Sequence, residues 1–176
     1  MGGTMLTLEE LQSLNINADV AREAFVQSDR YLVDTLGVRN SYEQKAASLM
    51  GAYITISVAL FGIGGAIFKD SGAPARIWPF FAAGLVFIAG SSCFIVALKA
   101  GKYAAVGSVP EMWLRSGVID GTEYAVAAML AYLTYHHHER IEMSVRSNRR
   151  KALWIDAGIF FGTVAPLTFL LLFLIL

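Results

Sequence analysis

From Ala46 to Phe68, between Lys45 and Lys69, the chain contains no Asp, Glu, Lys, Arg or His. A helix needs about 20 apolar residues, at about 1.5 Å rise each, to cross the hydrocarbon core of a bilayer. This run is long enough. A helix also satisfies its own backbone donors and acceptors, which an isolated segment in lipid must do. A second charge-free run covers Ile77–Leu98, and a third, carrying only Asp156, closes the chain at Leu176. Hydrophobic residues make up 56% of the 176 and charged residues 16%, with positive mean hydropathy, which places the chain outside soluble usage. The reading is an all-α integral membrane protein: three transmembrane helices with a helical cytoplasmic portion.

Four segments follow: cytoplasmic N-terminal helices over 1–45, a transmembrane hairpin over 46–98, a cytoplasmic helical segment over 99–151, and a third transmembrane helix over 152–176. The start, MGGTMLTLEELQ, lacks a basic region before an apolar stretch, so no cleavable signal peptide is expected. It also lacks the Ser or Thr that myristoylation requires. Thr7 with Glu10 forms a capping box for a short first helix. A second begins near Ala18 and sets Val20, Ala24, Tyr31 and Leu32 on one broad face. It either ends at Gly37, with a new start at Ser41, or continues into the membrane; the absence of Pro from 41 to 68 favours continuity.

Small residues recur in each span: Gly51, Thr55, Ala59, Gly62 and Gly65; Ala82, Ala89, Cys93 and Ala97; Gly158, Gly162 and Ala165. Such stripes let helix backbones approach in lipid, where no hydrophobic force joins them. The short Lys69–Arg76 link makes the first two spans an antiparallel hairpin, with Trp78 at the interface. Ser108-Val-Pro-Glu111 signals a brief helix ending at Gly117. From Thr122 to Lys151 there is no Gly or Pro, so one long helix is expected to run on into the third span. Lys and Arg number four before the first span, eight in 99–151 and two in the hairpin link, twelve against two. The positive-inside rule puts the N-terminus in the cytoplasm, at the inner membrane.

Candidate chemistry is sparse. His136, His137 and His138 point about 100° apart on a helix and cannot share one metal; Glu142 occupies the position where a zinc-protease motif needs His. They are a solvated polar stretch or a pH switch, and Asp156, one turn inside the third span, joins them as a switch candidate. Tyr53, Ser57, Ser91, Ser92, Gly158, Gly162, Thr163 and Pro166, the last expected to kink its helix, are candidates for pore lining or interhelical packing. Arg146, Arg149, Arg150 and Lys151 form a basic cluster for lipid headgroups or an anionic ligand. No charge lies near the middle of a span, which argues against an ion-coupled transporter. There is no phosphate loop, catalytic triad or zinc-type cysteine pair, so neither an enzyme, a cofactor nor a metal is expected. Cys93 is the only cysteine, which excludes an internal disulfide.

Two polar stretches echo each other: Val38-Arg-Asn-Ser-Tyr-Glu-Gln-Lys45-Ala46 before the first span and Val145-Arg-Ser-Asn-Arg-Arg-Lys151-Ala152 before the third. Each leads through Lys-Ala into lipid. The arrangement resembles small bacterial anti-phage membrane effectors of the SLATT and Pycsar transmembrane kinds, over roughly 39–98 and 132–176. The resemblance implies a homo-oligomer that forms a channel or perturbs the inner membrane in anti-phage defence, gated by an upstream signal molecule or soluble defence partner. The alternative is a non-conducting anchor or accessory subunit for a soluble protein. Val126, Met129, Leu130, Leu133 and Ile141 are apolar residues outside the spans that a lone chain is expected to leave uncovered, which also predicts self-association. No nucleic-acid polymer is expected as a partner.

Overall fold

The structure is a computed structural model that describes residues 16–71, 74–99 and 126–175. Three α-helices and a single 3-10 turn make up these residues: α1, Ala18–Ser71; the turn, Pro74–Ile77; α2, Trp78–Leu98; and α3, Val126–Ile175. Each helix holds a stretch long and apolar enough to cross a membrane. The readings at Thr7–Glu10 and Ser108–Gly117 lie outside the described residues.

Local chemistry sets the helix ends. The Asn17 side-chain oxygen accepts from the backbone N–H groups of Asp19 at 2.9 Å and Val20 at 3.3 Å, capping α1. Asp19 adds negative charge where the helix dipole is positive. α1 then passes Gly37 without a break, which settles the choice between a stop and continuity for one long helix. α2 opens with Pro79 in its first turn, where the missing N–H costs nothing. α3 runs unbroken through Pro166, although proline removes the bond that the Gly162 carbonyl would otherwise accept.

The chain divides into two compact units, one of residues 1–38 and 102–146, the other of 39–101 and 147–176. In the first, the inward positions of α1 are Ala21, Phe25, Ser28, Leu32 and Thr35, and those of α3 include Ala127, Leu133, His137 and Ser144. The spacing on α1 alternates four and three, the 3.5-residue period of helices that wrap around one another left-handedly. The expected face was one position off. Val20 and Tyr31 are exposed and Ala24 points outward, while small or polar Ala21, Ser28 and Thr35 turn in beside Leu32. Leu133 is buried inside the unit and Met129, Leu130 and Ile141 are half-buried; only Val126 of that group stands exposed.

In the second unit α1 and α2 are antiparallel. Ser57 Oγ reaches the Gly84 carbonyl at 3.2 Å, Phe61 lies against Phe81, and Tyr53 against Phe87 and Phe94. α2 and α3 are antiparallel too, since Phe80 meets Phe169 near one end and Phe94 meets Gly158 toward the other. α1 and α3 therefore run in the same direction, and Glu43 with Lys151 and Tyr53 with Gly162 are both matched along them.

Candidate functional site

The second unit is built from aromatic rings lying in glycine hollows. A Cβ added at Gly158 would fall 2.5 Å from the Phe94 ring, one at Gly84 2.6 Å from Phe61, and one at Gly64 or Gly90 2.9 Å from Phe81 or Tyr53. At Gly162 it would land on the Tyr53 hydroxyl. Tyr53 and Phe94 stand edge to face at 5.1 Å, and Phe94 has no exposed surface. Close packing of this kind is what attracts helices to one another where lipid leaves no hydrophobic force between them. The outward glycines of α1 differ: a Cβ at Gly51, Gly62 or Gly65 would meet nothing. The stripe that the sequence displays on the first span therefore faces away from the described residues of its own chain.

The pore or packing candidates separate accordingly. Tyr53, Gly158 and Gly162 belong to this core. Ser57 is buried and shares its proton between the carbonyls of Tyr53, at 2.8 Å, and Gly84. Ser91 is buried and donates to the Phe87 carbonyl at 3.0 Å. Ser92 and Thr163 are exposed and donate to their own helices at Ile88 and Phe160, and Pro166 is exposed. These hydroxyl protons are spent on backbone carbonyls, and rings lie in the glycine hollows between the helices of the second unit.

Outside the spanning segments an ionic cluster joins α1 to α3 within the second unit. Glu43 Oε1 accepts from Lys151 Nζ at 2.5 Å and from Arg39 Nε at 2.8 Å. The Lys151 hydrogen bond, followed by that from Arg39, holds the Glu43 carboxyl below its ordinary value against the opposing effect of burial. The Lys151 side chain is only 7% exposed, so it stands apart from the basic cluster in which its sequence neighbours suggest it belongs. Arg149 and Arg150 are exposed, and Arg146 pairs with Glu142 at 3.2 Å. Asp156 is exposed, and among the described residues no ion pair reaches it.

The three histidines part company in the first unit. His136 approaches Glu139 at 3.3 Å and His138 approaches Glu142 at 3.7 Å, both on the outer surface. His137 turns inward and is 1% exposed. Its ring stacks on Phe25 at 5.2 Å, and its Nδ1 lies 3.0 Å from Ser28 Oγ. Ser28 gives its one proton to the Phe25 carbonyl at 2.8 Å, so the bond to the ring has Nδ1–H donating to Oγ. Burial pushes the imidazole below the ordinary histidine value; Asp29 opposes this, while Arg140 and His136 add to it. Sequence reasoning missed Phe25 and Ser28, and only the 3.5-residue period from Ala21 to Thr35 marks them.

No family model, curated protein or solved structure matches this chain. Among the described residues, no group of three His, Cys, Asp or Glu side chains is placed to hold a metal.

Proposed function

We propose that the chain is a non-enzymatic membrane effector: a homo-oligomer at the inner membrane, with a cytoplasmic N-terminus, that forms a channel or perturbs the bilayer, in keeping with its resemblance to anti-phage effectors. The observation carrying this reading is the contrast between filled and open glycines. Rings occupy the hollows between the helices of one chain, leaving any conducting path to form between chains. Gly51, Thr55, Gly62 and Gly65 lie along the outward side of α1, where a second copy can approach closely. Arg149 and Arg150, exposed at the start of the third span, suit anionic headgroups.

The test is regulated expression with a membrane-impermeant dye and a potential-sensitive dye, followed by flux from liposomes containing the purified chain. Dye entry, collapse of the potential and liposome leakage are the expected results. Intact potential in cells and tight liposomes at full expression would overturn the proposal. A second reading, an anchor for a soluble partner, draws on exposed Val20, Tyr31, Val33 and Met143 outside the spans. Healthy cells from which one soluble protein co-purifies in fixed ratio would favour it.

A further inference from the structure

Apolar or small residues suffice to join two helices in water, yet the first unit places an imidazole at the join. His137 of α3 is almost wholly buried, stacked on Phe25 of α1, and its Nδ1–H is committed to Ser28 of α1. Leu32, with no exposed surface, and Thr35 lie on the same side of α1. We propose that His137 is an acid-sensitive latch: its neutral ring holds α1 and α3 together in this unit, and its protonation releases them.

The physical reason is the fate of the second proton. Ser28 Oγ accepts from Nδ1 in either protonation state, so that bond survives the change and, strengthened by the charge, offsets only part of the cost of burial. Protonation at Nε2 places a full charge in a site with almost no access to water, which is costly without a paired anion. Among the described residues, the titratable and charged groups acting on the ring are Asp29 from α1 and His136 and Arg140 from α3. Asp29 alone favours the cation and does not outweigh burial and the two basic groups. The sign follows: a histidine depressed in the folded state stabilises the pairing above its ordinary value, and that stabilisation is lost as pH falls. His136 and His138 lie beside Glu139 and Glu142 on the outer surface, away from the join between α1 and α3. The latch is independent of whether the chain perturbs membranes.

The experiment uses the full chain in nanodiscs, with Cys93→Ala and spin labels at the exposed positions Glu23→Cys and Glu139→Cys, both in this unit. Pulsed electron resonance should give a narrow distance distribution at about pH 8 and a broad one at about pH 5. His137→Phe keeps the ring stack and leaves Ser28 bonded to the Phe25 carbonyl, so its distribution should stay narrow at both values. His137→Gln serves the same purpose should the phenylalanine variant fail to fold. In parallel, NMR of the His137 ring with His136→Gln and His138→Gln should show titration below the ordinary histidine value. A distribution in the parent chain that does not change with pH, equal broadening in the His137 variants, or ring titration at or above the ordinary value would each overturn the latch.

Discussion

The two units use the same kind of helix and hold it with different chemistry. In the first, outside the spans, the inner surface is Ala21, Leu32, Thr35, Leu133, His137 and Ser144, a mixture of modest apolar groups and small polar ones. In the second, glycines receive the rings of Tyr53, Phe61, Phe81 and Phe94. Water rewards the burial of any apolar surface, so medium-sized side chains suffice to join helices there. Lipid is as apolar as the side chains it meets, leaving shape as the main source of attraction. The second unit, whose helices are long and apolar enough to cross a membrane, has the close fit that lipid would demand in place of hydrophobicity.

Matched truncations test that contrast most severely. Leu32→Ala should destabilise the first unit by about 3 kcal/mol, the transfer and cavity costs together. Ile155→Ala, at a site equally buried in the second unit, should cost about half as much, because the unfolded helix keeps its isoleucine in lipid. Amide hydrogen exchange, read separately for each unit, makes the comparison; equal losses would break it.

Fit itself is tested at Gly158. Gly158→Ala pushes a methyl into the Phe94 ring and should cost about 2 kcal/mol, with Phe94→Leu recovering much of it. Denaturant titration in bicelles would show the rescue, and additive losses would mean that ring and glycine are uncoupled. Glu43→Gln comes next. It leaves buried Lys151 without its carboxylate and should cost about 1–2 kcal/mol, less than for a wholly buried pair because Glu43 is partly exposed. The depressed Glu43 carboxyl sets the pH window: the pairing is fully present above the ordinary glutamate value of 4.5 and is lost as pH falls through its lowered native value. An acid titration of the parent chain against Glu43→Gln should converge there.

The smallest effect belongs to Gly62→Ala, where a Cβ meets nothing. Stability of the single chain should rise by no more than about 1 kcal/mol, the helix-propensity advantage of Ala over Gly. Light scattering on the same variant sharpens the comparison further. A shift in oligomer mass without a loss of chain stability would assign that open face to a second copy.

Much of the fold could be read from residue order because membrane helices obey a length and charge rule that no distant contact can override. Ala46–Phe68 and Ile77–Leu98 carry that signal directly, and the eight residues between them force an antiparallel turn. The inner face of α1 was harder to read. Val20 and Tyr31 are larger and more apolar than Ala21 and Ser28, yet they stand outside. Hydrophobicity ranks side chains one at a time, whereas a wrapped pair selects positions by period and by what the partner presents. The same limit applies at Gly51 and Gly158, which look alike in the sequence; one is open and the other holds a ring.

The sequence by itself determined that the described residues are helical and that they hold three stretches able to cross a bilayer. These follow from the cost of bare backbone and bare charge in hydrocarbon, which composition along the chain records. Only tertiary structure decided which of three consecutive histidines is buried, which lysine faces inward to Glu43, and which glycines are filled. Each depends on the rotation of a helix about its axis, and that rotation is set by the surface of another helix far away in the chain.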